Sequence, residues 1–299
     1  MPHRVSVVTP SYNQVRFIQR TIDSVLSQQF CGSLQYLVMD GGSQDGTREI
    51  LSRYGSSVQW VSERDGGQAD AVNKGLARAT GDVIGWLNSD DVYYPGAIAA
   101  VCAIFESHPE VDVVYGDANH IDEGDLVLEP YGTEEWDFQH LLEVCYICQP
   151  ATFFRKSVVE RFGQLDPDLQ LCMDYEYWIR LGKSGAVFHW LRQVLAGSRL
   201  HAETKTLGAR VRVHREINEM LSRHAGRVPD RWLYNYAHAV VDGKGIPRSN
   251  RQLFPVLASA LSLYAGLRWN HRLSIAMRKT TGAWVASAVR EFCKAKFRK

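Results

Sequence analysis

Long apolar runs are missing from this 299-residue chain, and that excludes whole classes of protein before any motif is read. No uninterrupted stretch approaches the ~20 apolar residues that a membrane-spanning helix needs. The nearest candidate, Phe254 to Leu267, is broken by Pro255, Ser259, Ser262 and Gly266. Met1-Pro2-His3-Arg4 leads straight into the strand-like Val5-Ser6-Val7-Val8, with no apolar segment of signal length between them. The six cysteines form no disulfide framework for a chain of this length, so a reduced, cytoplasmic protein is expected. Cys145 and Cys148 make a single C-x-x-C, and no second pair or histidine pair completes a zinc site. Neither G-x-G-x-x-G nor G-x-x-x-x-G-K-[ST] occurs, which removes the dinucleotide fingerprint and the P-loop. Internal repeats and low-complexity segments are absent as well.

What remains is an ordinary globular composition, 45% hydrophobic and 22% charged, sufficient for one large domain or a domain with an appendage. The formal net charge of +1 hides an asymmetry. From Arg227 onward stand 14 Lys+Arg against 3 Asp+Glu, leaving 20 basic and 30 acidic residues before that point. A basic, aromatic-bearing tail behind an acidic body suits an anionic surface, and peripheral contact with the inner face of a membrane is the expectation. A solvated helical surface, or a tail docked on the acidic body, is the alternative. No recognised nucleic-acid-binding module accompanies the basic residues, so a nucleic-acid partner is not expected.

The first hundred residues alternate between strand-like and helix-like patterns. Val5–Thr9, Leu34–Met39, Val58–Ser62 and Val83–Leu87 read as strands. Between them, Val15, Ile18, Ile22, Val25 and Leu26 recur at helical spacing, Thr47 to Tyr54 makes a short helix, and Gln68 to Ala79 buries Ala69, Val72 and Leu76. This rhythm predicts an α/β fold with a mostly parallel sheet covered on both faces. Further on, Ile98, Val101, Cys102 and Phe105 mark a helix and Val111–Tyr115 a strand, followed by a polar, acidic stretch from Asp117 to Asp137. Ala151–Arg155 and Val187–Trp190 read as strands, Tyr175–Leu181 and Leu207–Arg223 as helices, and the chain from Val228 as helical.

Unusual residues concentrate where the strands end, the position at which open α/β sheets bind ligands. After the first strand comes Thr9-Pro10-Ser11-Tyr12-Asn13, a rigid turn offering hydroxyls and a helix start. After the second comes Asp40-Gly41-Gly42-Ser43-Gln44-Asp45-Gly46-Thr47, in which Asp40 can accept from a base or ribose and the glycines permit close approach. The third delivers Glu63-Arg64-Asp65-Gly66-Gly67-Gln68-Ala69-Asp70, and the fourth Asn88-Ser89-Asp90-Asp91. Two adjacent carboxylates make a hard-oxygen site suited to Mg²⁺ or Mn²⁺. Each segment alone also reads as a turn with a helix cap.

Taken in order, Thr9-Pro-Ser-Tyr-Asn13, Asp40-Gly-Gly-Ser-x-Asp-Gly-Thr47, Asp65-x-Gly-Gln-x-Asp-Ala-x-Asn-x-Gly75, Gly81-Asp82 and Asn88-Ser-Asp-Asp91 resemble the family-2 glycosyltransferases, inverting enzymes with a GT-A fold. The resemblance spans Arg4 to Leu221. It implies a nucleoside-diphosphate sugar donor, a divalent cation (Mg²⁺ or Mn²⁺), and transfer to a glycan or lipid-linked acceptor hydroxyl in bacterial polysaccharide or lipid-linked glycan synthesis. By the same resemblance Pro10, Ser11 and Asn13 line the nucleotide site, while Asp40, Asp65, Gln68 and Asn88 contact base, ribose or sugar. The family's metal motif is Asp-x-Asp. Here its first position is Asn88, and Asp90, with Asp91 beside it, takes the ligand role. Met173-Asp174-Tyr175-Glu176 resembles the base motif with Asp174 as general base, although Met173 stands where the family often has Glu. Gln149-Pro150-Ala151-Thr152 matches an acceptor-side loop, and Arg199-Leu200-His201 a position near the diphosphate. The implied divisions are a donor half (1–100), an acceptor half (101–225) and a basic helical extension (226–299). A sugar-nucleotide nucleotidyltransferase and a non-catalytic nucleotide-sugar-binding protein remain as alternatives.

Overall fold

Strand β1 (His3–Ser11) shows why the sheet forms where it does. Its run Val5-Ser6-Val7-Val8-Thr9 is buried throughout, as a strand covered on both faces must be. The computed structural model describes residues 3–201 and 209–296. These divide into two compact units, Met1–Ala202 and Glu203–Lys299.

In the first unit, β2 (Gly32–Asp40), β3 (Gln59–Ser62) and β4 (Val83–Trp86) join β1 in parallel, in the order β3-β2-β1-β4. The sheet continues through β8 (Thr152–Arg155), antiparallel to β4, then β6 (Val113–Ile121) and β9 (Phe188–Arg199), which are parallel to each other, and closes on β5 (Val92–Tyr93). The crossovers are α1 (Ile18–Leu26), α2 (Thr47–Ser52), α3 (Gln68–Arg78) and α4 (Ala97–Ser107). Ile18, Ile22 and Val25 of α1, Ile50 and Leu51 of α2, and Ile98, Val101 and Phe105 of α4 form one core with Val5, Val7, Tyr36 and Val38 of the sheet. On the other face α3 lies close over β1. A Cβ on Gly75 would stand 2.3 Å from the Val8 side chain, so the helix can approach only because that position carries none.

The expected strands and crossover helices are present, with three differences. Val15 lies before α1, exposed, because the helix begins only at Ile18. The acidic stretch after residue 117 is not a loose connection: β6 runs on to Ile121 and pairs with β7 (Val127–Pro130). Its turn is organised by Asp122, whose Oδ1 accepts from the backbone N–H of Gly124 and of Leu126, an arrangement local to the chain that hydrophobic periodicity does not register. Strand β9 continues nine residues beyond Trp190, past register shifts opposite Gly116 and Asp117, because Leu195 and Ala196 rejoin the core. That continuation carries Arg199 and His201 to the edge where β1, β2 and β4 end. Three short helices complete the unit: α5 (Phe138–Glu143), α6 (Lys156–Phe162) and α7 (Met173–Lys183), the last buried along most of its length.

The second unit is helical: α8 (Arg210–Ala225), α9 (Asp230–Gly243), α10 (Leu253–Asn270) and α11 (Ile275–Lys296) among the described residues. The start expected at Leu207 lies outside the described residues. Helix α8 packs on α9 and α10 and lies with them in the second unit. Val241, Phe254 and Ala258 form its core, with Trp284 packed against them. Among the described residues no helix is long and apolar enough to cross a membrane.

Candidate active site

Because β1 to β4 are parallel neighbours, their C-terminal ends fall on one edge, and all four singled-out segments lie together there. Strand β8 runs the other way, so the residues preceding it, Gln149–Ala151, reach the same edge, and the end of β9 arrives there too.

Asn88 is the hub of this edge. Its Oδ1 accepts from Gln68 Nε2 at 2.7 Å and from Trp86 Nε1 at 3.1 Å. Its Nδ2 donates to Gln149 Oε1 at 2.7 Å and to Asp91 Oδ2 at 3.2 Å. Gln149 Nε2 in turn donates to the carbonyl of Trp86. An amide chain, Gln68–Asn88–Gln149, therefore ties α3, the β4 turn and the segment before β8. A carboxylate at position 88 could not donate to Asp91, which gives the departure from Asp-x-Asp a structural reason.

Asp90 and Asp91 have different surroundings. Asp91 is 4% exposed, and its Oδ1 accepts from the backbone N–H of Arg199 at 2.8 Å while Oδ2 takes the Asn88 amide. Burial, and then the neighbouring Asp90 charge, push its carboxyl well above the usual carboxylate range. The Asp90 side chain, 22% exposed, meets His201 with Nε2 and Oδ2 3.0 Å apart. The turn between them is held from below by Thr21, whose hydroxyl contacts the carbonyls of Ser89 and Asp91. It is held from the side by Arg199, which donates to the Asp90 carbonyl, the Asp122 carbonyl and Asp125, with its guanidinium 5.0 Å over the Phe17 ring. Arg199, Thr21 and Phe17 are organisers that strand-end reading overlooked. Arg199 was visible only as a neighbour of His201, and the other two carry no local signal.

Among the described residues no group of three or more His, Cys, Asp or Glu converges as a ready-made metal cage. Asp91 has both oxygens engaged within the protein, which leaves Asp90 and His201 as the donor pair. If a divalent cation binds at this edge, these two side chains would be the ones to hold it.

The nucleotide-side residues divide in the same way. Asp40, 2% exposed, spends both oxygens on its own loop, accepting from the N–H of Gly42 and of Ser43 and from the hydroxyls of Ser43 and Ser62. Asn13, in the left-handed region at φ 52°, binds the same loop: its N–H donates to Ser43 Oγ and its Oδ1 accepts from the Gln44 N–H. Asp65 Oδ1 accepts from the Gly67 N–H, and Oδ2 lies 2.7 Å from where a Gly41 side chain would begin, so the glycine makes room for the carboxylate. Pro10 is buried in β1 beyond the last residue pairing with β4, where its missing N–H breaks no ladder. The Ser11 hydroxyl, 4% exposed at that end, has no hydrogen-bond partner among the described residues. Such an orphan at a strand end is a mark of a ligand site.

Asp174 is the second residue of α7, whose cap position is Cys172, so it does not cap the helix. Tyr175, Trp178 and Ile179 pack inward, while Asp174 remains half-buried. Glu176 is buried and paired with Arg180, which also donates to the carbonyls of Phe162 and Gln164; that pair fixes α7 in place. Burial first, then Asp174, raise the Cys145 thiol, and burial first, then Asp91, Cys145 and Asp174, raise Cys148. Both cysteines are free thiols, kept protonated. Asp117 and His120 lie within β6 rather than after it. Asp117 accepts from Trp190 Nε1, and His120 packs on Tyr131.

A mixed sheet with this edge, an acidic turn after β4 and a carboxylate on a facing helix define the GT-A class of transferase. Residues 6–163, more than half of the chain, match glycosyl transferase family 2, and the chain belongs to that family. It is 29% identical over 215 residues to an uncharacterized glycosyltransferase of Rickettsia prowazekii, a match covering 68% of this chain and 65% of the relative. It is 32% identical over 179 residues to an uncharacterized glycosyltransferase of Mycobacterium tuberculosis, covering 59% and 68%. Among solved structures, TarS residues 1–349 of S. aureus in complex with UDP-GlcNAc superimposes with a TM-score of 0.63 at 14% identity, over 98% of this chain and 92% of that one. The mannosyltransferase PcManGT of Pyrobaculum calidifontis, in complex with GDP-Man and Mn²⁺, gives 0.60 at 18% identity, over 97% and 81%. At these identities the structural likeness establishes the fold.

Proposed function

We propose that this protein is an inverting glycosyltransferase that moves a sugar from a nucleoside-diphosphate donor to the hydroxyl of a glycan or lipid-linked acceptor. The reading is carried by one observation: the carboxylate–imidazole pair Asp90–His201 and the Gln68–Asn88–Gln149 amide chain share the strand edge with the unpartnered Ser11 hydroxyl. Ser11 and Asp65 receive the nucleoside, in a pocket whose walls Asn13 and Asp40 hold in shape. Asp90 and His201 hold the cation, which when bound balances the negative charge on the departing diphosphate. Gln68, Asn88 and Gln149 fix the floor beneath the donor. Asp174 accepts the acceptor hydroxyl's proton as that oxygen attacks the anomeric carbon, and the carbon–oxygen bond to the diphosphate breaks on the opposite face. The high thiol pKa values of Cys145 and Cys148 keep that side free of a competing thiolate nucleophile. A role in bacterial polysaccharide or lipid-linked glycan assembly follows from the acceptor class.

The deciding experiment measures binding and nucleoside-diphosphate release across a panel of sugar nucleotides, with and without Mn²⁺. Cation-dependent release from one donor, increased by acceptor, is the expected result. Release of pyrophosphate from a nucleoside triphosphate and a sugar phosphate would instead identify a nucleotidyltransferase. Absence of binding to every nucleotide would overturn the reading.

A further inference from the structure

The outer side of the α10–α11 hairpin has a composition that water alone does not explain. On α10 the residues Leu253, Val256, Ala260, Tyr264 and Leu267 follow one another at intervals of three and four, which places them along one stripe, and all five are exposed. On α11 the buried face is Met277, Thr281 and Ala288. Beside it, at the rim of that face, stand Val285, Val289 and Phe292, the last two 54% and 61% exposed. A groove of about 410 Å³ between the helices is lined by Leu263 of α10 and by Gly282 and Val285 of α11, with Arg278 in its wall. Two adjacent helices thus each expose apolar side chains, with a groove between them, of a kind that folded proteins seldom leave to solvent.

Charge selects the occupant. From Leu253 to Lys296 the hairpin carries seven Lys or Arg and a single acid, Glu291, which is paired with Lys294. Arg278, Lys279 and Arg290 of α11 are exposed around the apolar stripe. No ion pair is found for Arg268, Arg272, Arg278, Lys279 or Arg290 among the described residues. A second copy of the hairpin would bring two such basic rims together, which like-charge repulsion opposes. An anionic bilayer offers both complements: headgroups for the cations and acyl chains for the leucine, valine and phenylalanine side chains.

We propose that the outward face of the α10–α11 hairpin docks on an anionic phospholipid bilayer, with Val285, Val289 and Phe292 entering the acyl boundary and Arg278, Lys279 and Arg290 at the headgroups. The groove at Arg278 accepts one acyl chain with its phosphate at the guanidinium. Among the described residues no helix is long and apolar enough to cross a membrane, and the attachment proposed for this hairpin is peripheral. The inference uses none of the residues assigned to transfer, and it stands or falls separately from the proposed activity.

The test is co-sedimentation of the full-length chain with vesicles of phosphatidylcholine alone, or of phosphatidylcholine mixed with phosphatidylglycerol, at low and high salt. Binding to the mixed vesicles only, weakened by salt, is expected. The double substitution Val289→Glu/Phe292→Glu should abolish it with helical content and donor binding unchanged, since both side chains are exposed. Arg278→Glu/Lys279→Glu, which leaves the apolar stripe intact, should weaken partitioning by at least about tenfold. Equal binding to neutral vesicles, or no binding at low salt, overturns the proposal. So does wild-type binding by both variants, or a concentration-dependent dimer that Val289→Glu/Phe292→Glu splits without any vesicle binding.

Discussion

At the strand ends of the sheet unit, acidic and amide side chains are turned inward and held by partners, whereas the helical unit keeps a small apolar core and carries its cations on the outside. Asp40, Asp91 and Arg199 are nearly inaccessible, each committed to several hydrogen bonds. Arg278, Lys279 and Arg290 stand in solvent beside exposed valines and a phenylalanine. The contrast teaches where each unit gains its specificity. In the first, burial makes polar geometry expensive to disturb, which suits a site that must hold a charged donor in one orientation. In the second, charge and apolar area remain available, which suits attachment to an extended surface.

If inward-held polar groups are what matter in the sheet unit, removing the proposed general base should cost most. Asp174→Asn should lower transfer by about 10³-fold while leaving donor affinity unchanged. Single-turnover transfer measured alongside donor titration separates the two, and full activity would end the base assignment. Next comes Arg199→Ala, which leaves the Asp90 and Asp122 carbonyls and the Asp125 carboxylate without their cation. It should cost about 3 kcal/mol of stability, read from denaturant unfolding, and disorder the Asp90 turn as well. Asp90→Asn should reduce Mn²⁺-dependent nucleoside-diphosphate release by about 10²-fold, with little loss of fold because its side chain is partly exposed. Asn88→Asp sharpens the comparison further. It restores the family motif but sets a carboxylate against Asp91, and about 1–3 kcal/mol of destabilisation is expected in thermal melts despite the conservative shape.

The smallest effect belongs to the helical unit. Burial, and then Arg210, hold the His214 imidazole down to about 4. Its folded pKa lies below the unfolded value, so the unfolded chain binds the extra proton, and stability is lost as pH falls from the ordinary histidine range toward 4. With the ring only partly buried, about 1 kcal/mol is expected after solvent screening. Hydrogen exchange along α8 should accelerate over that interval in the wild type and not in His214→Phe.

The legible part of the fold was the part governed by period and order. Apolar runs separated by helical spacing set out β1 to β4 and their crossovers, and the residues crowding each strand end announced a ligand edge. Less legible was whatever depended on contacts between distant segments. The hairpin β6–β7 was concealed in an acidic stretch because its turn is made by Asp122 hydrogen-bonding its own neighbours. The extension of β9 was concealed by polar residues at a register shift. The helix Arg210–Ala225 shows no sign in its own sequence that its partners are α9 and α10.

Within the site the same division holds. Sequence alone determined the α/β class, the family, the order of the strand-end motifs and the charge of the C-terminal region, because these follow from local pattern and composition. Tertiary structure decided which of two adjacent aspartates faces outward, that Asn88 is saturated by Gln68, Trp86, Gln149 and Asp91, and that Asp40 is spent on its own loop. It also decided that His201, 111 positions from Asp90, meets it at 3.0 Å. A side chain's donors and acceptors are assigned by whatever packs against them, and for a residue at the end of a strand those neighbours come from other strands, remote in sequence and adjacent only once the sheet has formed.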